Sequence, residues 1–220
     1  MIRAAIQAVV FDMDGLMIDS EPLHKEAWQI TLRHFGYELD EALFAQLVGL
    51  RTREDAVLLR EHFHLPVKAE VLARQRNDLF LATLPGRVKP MPGLRELIAQ
   101  VRGCGLFSAV ATSGERRYVD AVVRELNLDG VFDAMAVAED VARGKPAPDV
   151  YLLAARRLGL PPAQCLALED APNGVLAAKA AGVRCVAVPN ETTRSLDLSA
   201  ADASLPSLSA VRRNLNALIR

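Results

Sequence analysis

The amino-acid sequence predicts an α/β fold built on a parallel, doubly wound sheet, with a block of helices inserted after the first strand. Three observations carry that prediction. Short apolar runs, hydrophobic on both faces, recur along the chain and end in polar or glycine-rich turns, as strands covered on both sides do. Helical stretches separate them, and strands alternating with helices imply parallel pairing. One long interval, from about Leu16 to Leu84, carries only helical periodicity.

The elements follow in order. Strands are expected near Ala8–Phe11, Phe107–Ala111, Ala134–Val137, Leu166–Leu168 and Cys185–Val188. Within the long interval, Pro22 opens a helix with Leu23, Ala27, Trp28 and Thr31 on one side, and Asp40 begins a second with Leu43, Phe44, Leu47 and Val48. Thr52, followed by Glu54 and Asp55, reads as an N-cap with acid in the first turn. A fourth helix runs from about Lys68 to Leu84 and stops at Pro85-Gly86. This assigns residues 16–85 to a helical insert, hinged near Gly15–Ile18 and Pro85–Pro90, and residues 1–15 and 86–220 to the core. Later helices are expected from Leu94 to Arg102, Arg116 to Leu126, Asp149 to Leu158 and Gly174 to Ala181. The segment Ser195–Ser209 reads as a loose surface connection, and the last thirty or so residues carry no clear signal.

Composition narrows the function. The 220 residues are 51% hydrophobic and 24% charged, enough for a core and a polar surface, and 26 basic against 27 acidic side chains leave a net charge of −1. No basic excess and only 5% aromatics give a nucleic acid little to bind, so a small metabolite is the expected partner. No 18-residue apolar run exists for a membrane span, and acid at Asp12 cuts short any signal core begun at Met1–Ile6. Cys104, Cys165 and Cys185 form no CxxC pair and read as buried hydrophobes. A cytoplasmic monomer is the expectation.

Four motifs carry chemistry. Phe11-Asp12-Met13-Asp14-Gly15 ends an apolar strand with two carboxylates, and Gly15 allows the turn that converges them; alone, such a string is often only a tight turn. Thr112-Ser113-Gly114 delivers a hydroxyl to the end of the second strand, where Thr112 taken alone reads first as a helix cap. Lys145 in GKPAPD stands ahead of a proline-pinned helix start, where a cation reaches a bound phosphate. Glu169-Asp170 end an apolar strand with adjacent acids, which repel and resist desolvation unless a cation sits among them. Oxygen donors of this type suit magnesium, and nothing offers a nitrogen or sulfur set for zinc. No GxxxxGK[ST] loop, GxSxG elbow or strand-borne GxGxxG is present, and His62 and His64 read as solvated.

In this order, DMDG, Thr112, GKPAPD and LED resemble the haloacid-dehalogenase-like phosphohydrolases, and FDMDGLMIDSEPLH with LALEDAPNG resembles the branch with a helical cap inserted after the first motif. The resemblance spans about Ala8 to Val188. It implies a Rossmann-like core with a four-helix cap, and an Mg²⁺-dependent phosphatase acting on a sugar or polyol phosphate. In that pattern Asp12 is the nucleophile that becomes an aspartyl-phosphate, and Asp14 is the acid and then the base. Asp12, the backbone carbonyl of Asp14 and Asp170 hold the metal, with Glu169 a ligand directly or through water. Thr112, Lys145 and the amides of Met13, Asp14 and Ser113 bind phosphoryl oxygens. In the insert, Glu21, His24, Trp28, Arg51, Thr52 and Arg53 are nominated to face the substrate. Two alternatives stand beside this: a phosphomutase of the β-phosphoglucomutase type and a receiver-like phospho-aspartate switch. Against the mutase, Glu115 stands where its motif has lysine, and Val48 where it has lysine before the loop glycine.

Overall fold

A computed structural model describes residues 5–220; residues 1–4, where the aborted signal core and the first core segment were read to begin, lie outside it. Six parallel strands form one sheet: β1 (Ala8–Phe11), β2 (Phe107–Ala111), β3 (Ala134–Ala136), β4 (Cys165–Glu169), β5 (Arg184–Ala187) and β6 (Ala203–Ser204), in the order β3-β2-β1-β4-β5-β6. The order runs outward in both directions from β1, so β1 and its immediate neighbours β2 and β4 share the central edge where open α/β sheets bind ligands. The chain is thus a Rossmann-like, doubly wound α/β protein.

Alternation along β1 explains why it reads as continuously apolar. Val9 and Phe11 enter one layer with helices α5 (Leu94–Gly103), α6 (Arg116–Glu125) and α9 (Leu208–Leu218). Ala8 and Val10 enter the other with α7 (Asp149–Leu158) and α8 (Pro172–Ala180). The small residues of the second layer, Ala109, Ala111, Ala167 and Ala187, let α7 and α8 approach the sheet closely.

Four helices lie between β1 and β2: α1 (Glu21–Arg33), α2 (Glu41–Leu47), α3 (Thr52–His62) and α4 (Ala69–Thr83). They gather a cluster of their own around Trp28, Leu32, Phe44, Leu59 and Leu72, while Leu23, Ala27 and Phe80 join the sheet layer. Isolated bridges tie Ile18 to Asp14 and to Pro90 where the insert leaves and re-enters the sheet.

Several expectations are corrected. Ser195–Ser209 is not a loose connection: it contains β6, held by Leu205 N–H to Ala187 O at 2.8 Å, and Asp202 accepts from Lys179 and from Cys185 N–H. The uninformative tail forms α9, capped by the Ser207 hydroxyl on Ala210 N–H and packed on α5; only its leucines and valine at helical spacing mark it. The cap of α3 is Arg51 rather than Thr52, with the Glu54 carboxylate accepting from Arg51 N–H at 3.1 Å. Helix α8 begins at Pro172 rather than Gly174. Cys104 is exposed, since Gly103 and Gly105 bracket a surface turn; Cys165 and Cys185 are buried as expected. No helix of the described residues is long and apolar enough to cross a membrane.

Candidate active site

Parallel pairing puts the ends of β1, β2 and β4 side by side, with Asp12 N–H bonded to Leu168 O at 3.0 Å and Thr112 N–H to Ala136 O at 3.0 Å. Asp12, Thr112, Glu169 and Asp170 therefore arrive at one edge without any long-range search. Gly15 is the turn that keeps Asp14 with them. Its φ of +77° is left-handed, and a Cβ there would lie 2.3 Å from Asp170 Oδ2, so any other residue is strained and obstructed.

Lys145 is the centre of the cluster. Its Nζ donates to Asp12 Oδ1 at 2.6 Å, to Glu169 Oε1 at 2.6 Å and to Ala111 O at 3.1 Å, and all three charged groups are buried. Burial pushes the ammonium down, but the two carboxylates outweigh it and hold Lys145 above its ordinary range. Glu169 also accepts from the Tyr151 hydroxyl and is seated against Gly174, where a Cβ would come within 2.0 Å of its carboxylate. Asp170 accepts from Asn190 Nδ2 at 2.8 Å, and the same amide donates to Gly15 O.

Asp12, Glu169 and Asp170 offer carboxylate oxygens lying within 4.8 Å of one another, the one grouping of this kind among the described residues. Three buried acids share one buried lysine, so the cluster is short of positive charge. Burial first, then Glu169, raises Asp12 to about 8 against the pull of Lys145. Burial, Asp12 and Glu169 likewise hold Asp170 well above the carboxylate range. A hard divalent cation fits this all-oxygen set and would return the acids to their ionised form.

In the metal-free protein Asp12 and Asp170 bind protons that the unfolded chain has released above about pH 4, so stability falls as pH rises toward 8. In EDTA the melting temperature is expected to drop by about 5 °C between pH 6 and pH 8, and by less with excess Mg²⁺. A metal-free melting temperature that is flat or rises over this interval contradicts the buried, proton-holding cluster.

Asp14 faces the helical insert. Ser20, His24 (3.0 Å from Nε2) and Tyr118 all bond its Oδ1. Burial raises this carboxyl, yet His24, Ser20 and Tyr118 together hold it below its usual range. Arg76 contacts His24 Nδ1, and a guanidinium only donates. Nδ1 is therefore the acceptor and Nε2–H the donor to Asp14, a neutral imidazole, in keeping with the downward push of burial and Arg76 on His24.

Of the residues nominated from sequence, Asp12, Asp14, Thr112, Ser113, Lys145, Glu169 and Asp170 line one cleft, joined by Glu21, His24, Trp28 and Thr52 from the insert. Three do not line it. Met13 packs its side chain into the sheet layer. Arg53 turns outward to Glu70 at 3.0 Å. Arg51 reaches the backbone carbonyl of Val141 at 3.3 Å and packs over Gly144. Trp28 is on the wall but belongs to the insert's core, 1% exposed, with Nε1 donating to Asp55 at 3.2 Å. Thr112 is no helix cap: its hydroxyl accepts from Gly114 N–H, and α6 starts after Glu115.

Sequence reasoning missed Ser20, Asp55, Arg76, Tyr118, Tyr151 and Asn190. Arg76 had a signal, since it interrupts the buried stripe Ala69, Leu72, Ala73, Phe80 of α4. The others meet their partners only through space: Tyr151 lies 18 residues from Glu169, Asn190 20 from Asp170, and Asp55 27 from Trp28.

A family model described as haloacid dehalogenase-like hydrolase matches residues 9–188. The chain is 37% identical over 215 residues to protein CbbY of Rhodobacter capsulatus, covering 93% of this chain and 95% of that one. It is 36% identical over 180 residues to fructose-1-phosphate phosphatase YqaB of Escherichia coli, covering 82% and 95%. The crystal structure of CbbY from Rhodobacter sphaeroides in complex with phosphate superposes with a TM-score of 0.87 at 32% identity, covering 94% and 96%.

Proposed function

Because the chain belongs to the haloacid dehalogenase-like hydrolases, we propose that it is a magnesium-dependent phosphatase that acts on sugar or polyol phosphates through an aspartyl-phosphate on Asp12. The activity itself, phosphoric monoester hydrolysis, follows from that membership and from phosphatase relatives such as YqaB. The observation that carries the rest is Lys145 shared at 2.6 Å between Asp12 and Glu169, beside Asp170. Free thiols at Cys104, Cys165 and Cys185 suit the cytoplasm.

Asp12 attacks phosphorus in line as the ester P–O bond breaks; Asp14, ionised in the ligand-free protein, takes up a proton beside the negative charge of the bound phosphate and gives it to the departing alkoxide. Asp14 then takes a proton from water, whose attack on the aspartyl-phosphate releases inorganic phosphate and restores Asp12. Thr112, Lys145 and the amides of Met13, Asp14 and Ser113 bind the phosphoryl oxygens. Asp12, Asp170 and the Asp14 carbonyl, with Glu169 directly or through water, would hold Mg²⁺, and the bound ion would supply positive charge to offset the repulsion between the Asp12 carboxylate and the phosphate. Helices α1–α4 act as a cap that carries substrate contacts, His24 and Glu21 among them.

The mutase alternative needs a second phosphate held away from Asp12. Glu115 lines the cleft and opposes a second anion there. Incubated with Mg²⁺ and a panel of sugar and polyol monophosphates, the protein is expected to release free phosphate, and EDTA is expected to stop it. Fast conversion of β-glucose-1-phosphate, primed with the 1,6-bisphosphate, to glucose-6-phosphate with little free phosphate overturns the phosphatase reading. Full activity in EDTA removes the metal from it.

A further inference from the structure

Two of the three clustered acids share one cation, since Lys145 donates to Asp12 and to Glu169. Asp170 is held differently. Its Oδ2 accepts from the side-chain amide of Asn190 at 2.8 Å, a donor without charge, and the same Nδ2 donates to Gly15 O at 3.1 Å. Asn190 stands outside all four motifs, on the loop that follows β5.

That loop is folded around the Asn190 side chain. Oδ1 accepts from Thr192 N–H at 2.8 Å, from Thr193 N–H at 3.0 Å and from the Thr193 hydroxyl at 3.2 Å. The Thr193 hydroxyl in turn accepts from Asn190 N–H at 3.1 Å, and Thr193 is fully buried. Three donors meet the oxygen and two acceptors meet the nitrogen, so its partners fix the orientation of the amide. An asparagine that bonds the backbone just ahead of it builds a turn, and this turn aims the NH₂ group back at the sheet edge.

The two acceptors belong to segments that the sheet itself does not join. The β1–β4 ladder ends with Asp12 N–H on Leu168 O, short of both Gly15 and Asp170. Beyond it the Asn190 amide spans the gap. Gly15 packs so closely there that a Cβ would lie 2.3 Å from Asp170 Oδ2 and 2.6 Å from Asn190 Nδ2. Asp170 is thereby held against the turn that carries the Asp14 carbonyl, one peptide before Gly15 O. A lysine in this place would neutralise Asp170; an amide orients the carboxylate and leaves its charge for a cation.

We propose that Asn190 is a positioning residue for the metal: its amide braces Asp170 against the Asp14–Gly15 turn before the cation arrives, so that two of the ligand-bearing segments need not be ordered by the ion itself. The proposal rests on the metal reading above and assigns Asn190 no contact with the ion or the substrate. Partners that orient metal ligands in this way are worth about 10–100-fold in metal affinity.

The test is the dissociation constant of Mg²⁺ for the metal-free protein, measured by calorimetry. Asn190→Ser keeps an oxygen for the Thr192 and Thr193 amides but is too short to reach Asp170, and it is expected to raise the constant about tenfold or more. A rise of about threefold or more carries the proposal, and a smaller one overturns it. Thr193→Val separates bracing from loop stability: it removes the buried hydroxyl and leaves Nδ2 facing both acceptors. It is expected to lower the metal-free melting temperature and to raise the constant less than Asn190→Ser does; an equal or larger rise overturns the proposal. If Asn190→Ser does not fold, the wild-type protein decides by nuclear magnetic resonance. The Asn190 side-chain amide protons are expected to be protected from solvent exchange in EDTA, and unprotected protons overturn a brace formed ahead of the metal. A wild-type protein that binds no Mg²⁺ fails the metal reading itself and takes the proposal with it.

Discussion

Asp12→Asn is expected to lower turnover by at least about 10⁴-fold while the protein remains folded. The amide keeps the size of the carboxylate, and its oxygen can still accept from Lys145, so the packing around residue 12 survives. Chemistry does not. An amide oxygen is a poor nucleophile toward phosphorus, and the charge of one of the three clustered carboxylates is gone. The two effects separate in measurement. Excess Mg²⁺ compensates a weakened metal site and does not restore a missing nucleophile, so raising Mg²⁺ is expected to recover thermal stabilisation and leave turnover near zero. Turnover within about tenfold of the wild type at saturating Mg²⁺ removes Asp12 from the nucleophile's role.

That such a prediction can be made at all reflects how much of the core is local in sequence. Ala8–Phe11 is apolar on both faces because β1 is the central strand of a covered sheet, and the acids that follow it can only stand at the sheet's edge. The same logic located Thr112 and Glu169-Asp170, since each motif follows its strand directly. The insert was harder to read. Its helices were legible from their apolar stripes, but orientation depends on how α1, α3 and α4 pack against one another, which periodicity does not encode. Hence Arg53, adjacent to Thr52 in sequence, points outward to Glu70, while Asp55, whose sequence position marks only a first-turn acid, is buried beside the cleft. The edge strand β6 escaped notice because two residues carry no period, and α9 because its leucines follow a stretch of small polar residues. Contacts made through space alone, such as Tyr151 on Glu169 or Asn190 on Asp170, have no signature along the chain.

Lys145→Ala is expected to reduce kcat/KM by about 10³-fold, the scale of losing a preorganised charge at a reacting centre. The sign of its effect on metal binding distinguishes this from general damage. Lys145 and a divalent cation compete for oxygens of Asp12 and Glu169, so deleting the ammonium leaves three carboxylates with more negative charge for the metal to meet. Without metal the variant is expected to melt below the wild type, because breaking a buried ion network exposes unpaired charge to a low dielectric. With Mg²⁺ it is expected to recover most of that loss, at a metal concentration no higher than the wild type needs. Turnover stays low, because the metal does not replace a cation that also contacts Ala111 O at the end of β2, beside Thr112. Lys145→Arg is expected to rescue poorly: the slot between Asp12, Glu169 and Ala111 is filled by one ammonium, and a planar fork does not enter it without moving Tyr151. A variant with weakened Mg²⁺ stabilisation and a rate within about tenfold of the wild type would mean that Lys145 serves the metal site and leaves the phosphoryl group to other residues.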